Sequence, residues 1–138
     1  METIKIYISR DEFVRELQEK FSSFYPYLKL NFFRIGANAK QVTNESVIFC
    51  PDAKMYDVNP QLQGRDFEIT PDMTVAELES KFFEEYGLPV QVLRKTGNLW
   101  LETSESNGWT LKEQNDHGEA ISPRKELPVY FSQVPFGC

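Results

Sequence analysis

The clearest pattern of apolar and polar positions lies in the second half of the chain. An apolar stripe at helical spacing follows Thr74, and Thr74 with Glu77 forms a capping box that marks the helix start. Gly87 stands where a helix commonly ends in a left-handed residue. The run Phe67–Thr70 before the helix reads as a strand. The stripe consists of Val75, Leu78, Phe82 and Tyr86.

A β-hairpin follows this helix. The strand-like run 90–96 is joined to a second run, 99–103, by Gly97-Asn98, a two-residue turn signal. This turn pairs Thr96 with Leu99 and Lys95 with Trp100. One face of the hairpin, expected to meet the helix, then carries Val90, Val92, Leu99 and Leu101. The other face carries Gln91, Leu93, Lys95, Trp100 and Glu102.

The N-terminal third follows the same plan. Residues 3–8 alternate as a strand, and Ser9 with Glu12 predicts a capping box that starts a first helix before Pro26. Residues 28–32 alternate again as a strand. The apolar stripe of this helix is Val14, Leu17, Phe21 and Tyr25.

These two regions also agree residue by residue. ISRDEFVRELQEKF from Ile8 and ITPDMTVAELESKF from Ile69 are identical at seven of fourteen positions. The sequence therefore predicts an internal repeat, 3–34 and 66–95, within one domain that spans 1–138. The predicted class is α+β: two related β-α-β(β) halves share a mixed or antiparallel sheet, with two helices on one side.

The remaining segments give weaker patterns. A short strand is predicted at 47–50, and 55–58 is interpreted as a segment that pairs with it. Thr110 and Glu113 predict a short capped helical turn over 110–115, anchored by Trp109. A last strand is predicted at 127–134.

The second half resembles the ubiquitin-like β-grasp pattern. The matching features are strand FEIT, helix TVAELESKFFEEYG, strand VQVLRK, turn TGN, strand LWLE, the Thr110-Leu111 turn and strand LPVYFSQV. This resemblance implies an alternative fold, a β-grasp-like second half with an N-terminal β-α-β extension. The chain ends Pro135-Phe136-Gly137-Cys138 without the Gly-Gly tail of ubiquitin-type modifiers, so a conjugated modifier is not expected.

A second resemblance rests on the repeated helix-strand pattern, in which a Phe-rich helix ends in Tyr-Gly-Leu before VQVLRK. It is similar to an uncharacterised family of small bacterial proteins. This resemblance implies a fold with a duplicated β-α-β unit, and it implies no activity.

Composition narrows the class of protein. The chain has 138 residues, of which 41% are hydrophobic, which is typical of a folded domain. The net charge of −6 disfavours binding to a phosphate backbone. No apolar run reaches membrane-spanning length, and no signal peptide follows Met1, so a cytoplasmic protein is expected. Two cysteines, Cys50 and Cys138, are too few for a disulfide scaffold.

The residues that could carry chemistry are sparse. His117, the only histidine, follows Asp116 and is interpreted as a solvated loop residue rather than a general base. One histidine and two distant cysteines do not supply a metal site. The acidic residues of 66–85, Glu79 among them, are interpreted as an ordinary solvated face. We therefore expect no catalytic residues, no metal and no cofactor, and a protein that is not an enzyme.

The positive signal is aromatic and basic. Large side chains beside cations are typical of binding patches, and the candidate partner-binding residues are Leu93, Arg94, Lys95, Trp100 and Trp109. The leading hypothesis is a non-enzymatic protein-interaction module with a protein partner or a homo-oligomeric state. The alternative is a small-ligand-binding protein or an accessory enzyme subunit. A third hypothesis, nucleic-acid binding, requires one basic face formed by Arg34, Lys40, Arg94, Lys95, Arg124 and Lys125.

Overall fold

The computed structural model describes residues 2–35, 42 and 46–122. The predicted strand 127–134 and Cys138 lie outside these residues. The elements in chain order are β1 (Ile4–Ile8), α1 (Val14–Phe24), β2 (Leu28–Arg34), β3 (Val47–Ile48), α2 (Met55–Val58), β4 (Arg65–Ile69), α3 (Val75–Tyr86), β5 (Val90–Thr96), β6 (Leu99–Glu102), a 3₁₀ turn (Ser104–Ser106) and α4 (Leu111–Ile121).

The strands form two antiparallel sheets, and the α+β class is confirmed. β1 pairs with β4, while the second sheet has the order β3-β2-β5-β6. The single shared sheet of the prediction is thus divided in two, and the described residues form four helices rather than two. Each sheet has one apolar face, so the two sheets enclose a common core instead of continuing one another.

Aromatic side chains from both sheets and α3 meet in this core. The rings of Phe67 and Phe82 stack with centroids 4.2 Å apart, and Tyr86 lies 4.9 Å from Phe67. Phe32 of β2 meets Phe82 edge-on at 6.1 Å. Such pairs add about 0.5–1.5 kcal/mol beyond the burial of area. The stripe predicted for α3 is therefore the contact between the two sheets.

The predicted ends of α3 are confirmed, whereas the predicted start of α1 is wrong. Thr74 Oγ1 accepts the Glu77 N–H at 3.1 Å, and Gly87 ends α3 with a φ of 64°. In α1, by contrast, Phe13 is the N-cap residue and no side chain caps it. Ser9 accepts the Asp11 N–H, and Glu12 binds Lys20 at 2.7 Å. Both side chains of the expected capping box are therefore used elsewhere.

The helix starts are paired instead by backbone hydrogen bonds. The N–H groups of Val14 and Arg15 donate to carbonyls in the turn before α2, and those of Met55 and Tyr56 donate back to the turn before α1. α2 occupies 55–58, so the predicted pairing strand there is wrong. The first N–H groups of a helix need partners outside it, and this exchange supplies them.

α3 and α4 are joined in the same way. Val75 and Ala76 donate to the turn before α4, while Leu111 and Lys112 donate to the turn before α3, over 2.8–3.1 Å. The capping box at Thr110 and Glu113 is confirmed. However, α4 extends to Ile121 and is a full helix rather than the short turn expected from the sequence.

The hairpin has the predicted register, but one of its faces is more exposed than predicted. Lys95 pairs with Trp100 and Thr96 with Leu99. Leu99 and Leu101 were expected to meet the helix, yet they are 57% and 44% exposed. The expectation is wrong because β6 is the last strand of its sheet, and α3 packs over β5 instead.

None of the helices formed by residues 2–35 and 46–122 is both long and apolar enough to span a bilayer.

Two glycines with the same backbone conformation allow a matched test of the fold. Gly87 and Gly97 have φ values of 64° and 65°. An added Cβ at Gly97 meets nothing within 4 Å, whereas one at Gly87 lies 2.5 Å from Asn59 Nδ2, which donates to the Tyr86 carbonyl. We expect Gly97→Ala to cost about 1–2 kcal/mol for the left-handed conformation. Gly87→Ala should cost about 1 kcal/mol more, through loss of the Asn59 hydrogen bond.

Urea unfolding of the two variants and the unchanged protein measures this difference. Equal losses would show that the Asn59 contact does not hold the end of α3.

Candidate functional site

The predicted binding residues lie on two opposite faces of the four-stranded sheet. Leu93, Lys95 and Trp100 share one face, because Lys95 and Trp100 are directly paired and Leu93 is two residues away on β5. Arg94 lies on the opposite face with Trp109. The five residues predicted as one patch are therefore not brought together.

The first of these faces is largely covered. Lys95 is 6% exposed, and Leu93 and Trp100 are half-buried, with the Trp100 indole nitrogen buried. Burial lowers the pKa of the Lys95 amine, because desolvation penalises its charged form. Residues this inaccessible are poor candidates for first contact with a partner.

The opposite face carries a connected group of polar and aromatic side chains. Arg94 Nη1 donates to Gln114 Oε1 of α4 at 2.8 Å, and the Arg94 guanidinium lies 5.7 Å from the centre of the Trp109 ring. The edge of His117 meets Trp109 at 5.5 Å. His117 is thus a half-buried helix residue, and its interpretation as a solvated loop residue is wrong.

Exposed apolar side chains lie on β6, on α4 and in the turn before α4. We call them the β6–α4 surface, and they are Leu99 (57% exposed), Leu101 (44%), Trp109 (41%) and Ile121 (40%). Leu101 lies opposite Arg94 in the strand register, and Ile121 lies one helical turn beyond His117. Patches of exposed apolar side chains are typical of interaction sites, so we treat these four as a candidate surface.

The outer backbone edge of β6 adjoins this surface. β6 is the last strand of its sheet, and no strand within residues 2–35 and 46–122 pairs with its outer side. The Lys95 N–H donates to Tyr27 of the neighbouring chain segment, so Arg94 and Thr96 direct their backbone groups toward β6. Their partners on β6 are Leu101 and Leu99. Trp100 and Glu102 therefore present their N–H and C=O groups outward.

A second feature lies where β6 leaves β5. After Glu102, β6 no longer pairs with β5. The side chains of Glu79 on α3 and of Thr103, the residue after β6, bond to β5 instead. Glu79 Oε2 accepts the Val92 N–H at 2.9 Å, and Thr103 Oγ1 donates to the Val92 carbonyl at 2.8 Å. These two side chains therefore bind both backbone polar groups of Val92 and cover one residue of the edge of β5.

A cavity of about 400 Å³ opens next to this covered edge. Its volume is within the range of small-ligand sites, roughly 300–1,000 Å³. We call it the α3–β5 cavity. Its described lining residues are Val42, Ala76, Glu79, Ser80, Phe83, Glu84, Pro89, Val90, Gln91, Ser104 and Asn107.

Glu79 lines this cavity, and the pKa of its carboxyl group is shifted. Burial raises its pKa to about 7, against the opposing effect of the Val92 N–H that binds the carboxylate. The interpretation of Glu79 as an ordinary solvated residue is therefore wrong. It lies next to buried Leu78 and points its carboxyl group at a strand edge, which helical periodicity could not reveal.

Other chemistry finds little support in these parts of the chain. No group of three or more His, Cys, Asp or Glu side chains that could hold a metal is found within residues 2–35, 42 and 46–122. Of the six cations named for nucleic-acid binding, Lys40, Arg124 and Lys125 lie outside the described residues. Arg34 packs on Phe49 at the far end of β2, while Arg94 and Lys95 point to opposite faces. These three do not form one basic face.

The comparisons with known proteins gave no relative. No family model, curated protein or solved structure matches this chain. The β-grasp resemblance and the resemblance to an uncharacterised bacterial family therefore stay predictions.

The raised pKa of Glu79 predicts a pH dependence of stability. Its folded pKa of about 7 lies above the ordinary value of 4.5, so the folded state holds the proton more tightly. The contribution of Glu79 to stability is therefore fully present below pH 4.5 and is lost as pH rises through 7. Each unit by which the folded pKa exceeds the unfolded pKa is worth about 1.4 kcal/mol, so this contribution is at most about 3.5 kcal/mol.

Glu79→Gln keeps an oxygen acceptor for Val92 and removes the titration. We expect this variant to gain stability over the unchanged protein as pH rises from about 5 to about 8, measured by urea unfolding. Glu84→Gln, an exposed position on the same helix, is the matched control and should show no such gain. Parallel pH profiles for all three proteins would show that Glu79 is not desolvated.

Proposed function

We propose that this protein is a non-enzymatic protein-interaction module that binds its partner at the β6–α4 surface. The observation that supports the proposal is the position of two exposed leucines on β6, the last strand of the larger sheet in the described part of the chain; one of them, Leu101, pairs with Arg94, which contacts the exposed Trp109. Edge strands with exposed apolar side chains are ready to pair with another chain. Proteins usually shield such an edge when it has no partner.

The mode of binding follows from the register of the hairpin. A partner in extended conformation can pair with the outward N–H and C=O groups of Trp100 and Glu102, which continues the sheet by one strand. Alternate side chains of that strand then lie on the same side as Leu99 and Leu101. Longer side chains of the partner strand on this side would contact Trp109 and Ile121.

Apolar burial supplies the main driving force. Full burial of a leucine is worth about 1.5–3 kcal/mol, and Leu99 and Leu101 each have about half of their surface left to bury. Together they contribute on the order of 2 kcal/mol. Trp109 is the anchor in this proposal, because tryptophan is enriched among the residues that dominate binding energy.

The partner is either another protein or a second copy of this chain. Both can present a strand to β6, and a second copy would do so about a two-fold axis. The two differ in the mass of the complex that they form.

The second candidate function is a small-ligand-binding protein or an accessory enzyme subunit. The α3–β5 cavity is the observation that favours it. Native mass spectrometry of gently purified protein tests it, since a retained small molecule adds a few hundred daltons. A chain of unmodified mass would argue against this candidate.

We also propose that the chain contains two related units, as the sequence repeat predicts. Two observations support the proposal: β1 pairs with β4 and β2 with β5. The sequence alignment matches Ile6 with Phe67 and Asn31 with Gln91, and both matched pairs lie opposite each other in the sheets. A two-fold relation between the units requires this, since equivalent residues meet at the axis. The helix of each unit is also joined at its start to the helix that follows the unit, by four backbone hydrogen bonds at matching positions.

Photo-crosslinking tests the interaction surface. We expect p-benzoylphenylalanine in place of Leu101 to give a discrete crosslinked product in the cells that make this protein, because the side chain is exposed on the proposed contact. The mass of the product identifies a second copy or a different protein. Once the partner is purified, Leu99→Lys should weaken binding at least tenfold while changing stability by less than about 0.5 kcal/mol.

The same crosslinker in place of Val47 is the control. Val47 is 63% exposed and lies on β3, the opposite edge of the same sheet. A product that forms equally well from both positions would contradict the proposed surface.

A further inference from the structure

We infer that the α3–β5 cavity binds an extended peptide segment that presents a lysine or arginine side chain. This site goes beyond the proposed function, because it lies on the far side of the point where β6 separates from β5. Its occupant is recognised by the strand edge at Val90, for which the described residues supply no backbone partner, and by two carboxylates.

The strand edge is the first argument. The Phe33 N–H donates to the Pro89 carbonyl, which places 89, 91, 93 and 95 of β5 toward β2. Val90 and Val92 therefore direct their backbone groups to the other side. Glu79 and Thr103 satisfy those of Val92.

Val90 is the next residue along this edge, and it lines the cavity. Its partner on β2 is Phe32, in a pair that exchanges no hydrogen bonds across the sheet. No residue in the described part of the chain supplies a partner for its N–H and C=O groups. Buried backbone groups are nearly always paired, so groups that no described residue pairs, on a residue that lines a cavity, favour a ligand that brings its own backbone.

Charge selects the kind of peptide. Glu79 and Glu84 both line the cavity, and its described lining contains no lysine or arginine. Both carboxylates come from one helix, α3, and Glu79 is desolvated by the protein. A cationic side chain that enters the cavity would meet negative charge with no lysine or arginine among the described lining residues to compete, and charge-assisted hydrogen bonds are the stronger ones.

The apolar part of the lining suits the stem of such a side chain. Phe83 and Pro89 line the same cavity as the two carboxylates. Lysine and arginine place their methylene groups along apolar surface while the charged end reaches a polar partner. A small amine lacks both the stem and the backbone, so the cavity should prefer the peptide.

A short synthetic peptide tests this inference. The probe is acetyl-Thr-Val-Lys-Val-Thr-amide, titrated into ¹⁵N-labelled protein at about pH 8, where Glu79 is mostly ionised. We expect chemical-shift changes at the Val90 and Gln91 amides. Replacement of the lysine by norleucine should weaken binding about tenfold. N-methylation of the residues flanking the lysine should weaken it by a similar factor, because the edge hydrogen bonds are lost.

Two further measurements test separately the role of the Glu84 carboxylate and the role of the peptide backbone. Glu84→Gln should reduce affinity severalfold, whereas Glu105→Gln, an exposed acid outside the cavity lining, should not. n-Butylamine alone should bind much more weakly than the peptide. Equal binding of butylamine, or of the norleucine peptide, would overturn the inference, and so would shifts confined to residues outside the cavity.

The inference can fail independently of the proposed function. Leu101→Lys disrupts the β6–α4 surface and should leave peptide binding unchanged. Loss of peptide binding in that variant would assign the peptide to the β6–α4 surface instead and would contradict the cavity site.

Discussion

The backbone hydrogen bonds that join the helix starts in pairs set the positions of the other elements. In α3 and α4, two N–H groups at the beginning of each helix donate to carbonyls of the turn that precedes the other. Because these are main-chain bonds, they fix the relative position of the two helices independently of most side chains. The start of α4 is therefore tied to the start of α3, which is itself packed on the core. The remainder of α4 then runs along β5, where Gly118 comes close to the backbone of Lys95.

This arrangement produces both candidate sites. α4 packs against Arg94 on β5 but leaves the leucines of β6 exposed. The 3₁₀ turn between β6 and α4 draws the chain away from β5 after Glu102. Val92 is then satisfied by side chains and Val90 opens into the α3–β5 cavity. The exposed surface and the cavity are thus two consequences of one constraint: β6 must leave the sheet early for α4 to reach its partner helix.

The elements that a few neighbouring residues determine were predicted correctly from the sequence. The capping box at Thr74, the left-handed Gly87 and the Gly97-Asn98 hairpin were all predicted at the right residues, because a few neighbouring side chains determine each of them. Predictions were less accurate where the structure depends on contacts with residues farther along the chain. Ser9 and Glu12 match a capping box in sequence, but Lys20 binds Glu12 and α1 begins later. Segment 55–58 alternates too briefly to distinguish a strand from a helix, and its pairing with the start of α1 decided the outcome.

The candidate site shows the same division. The α+β class and the hairpin register follow from the sequence alone, because periodicity and turn chemistry act over a few residues. The packing of the elements, by contrast, buries Lys95, leaves Leu99 and Leu101 exposed, and desolvates Glu79 beside Val92. Exposure and desolvation depend on which elements pack together, and no local pattern in the chain contains that information.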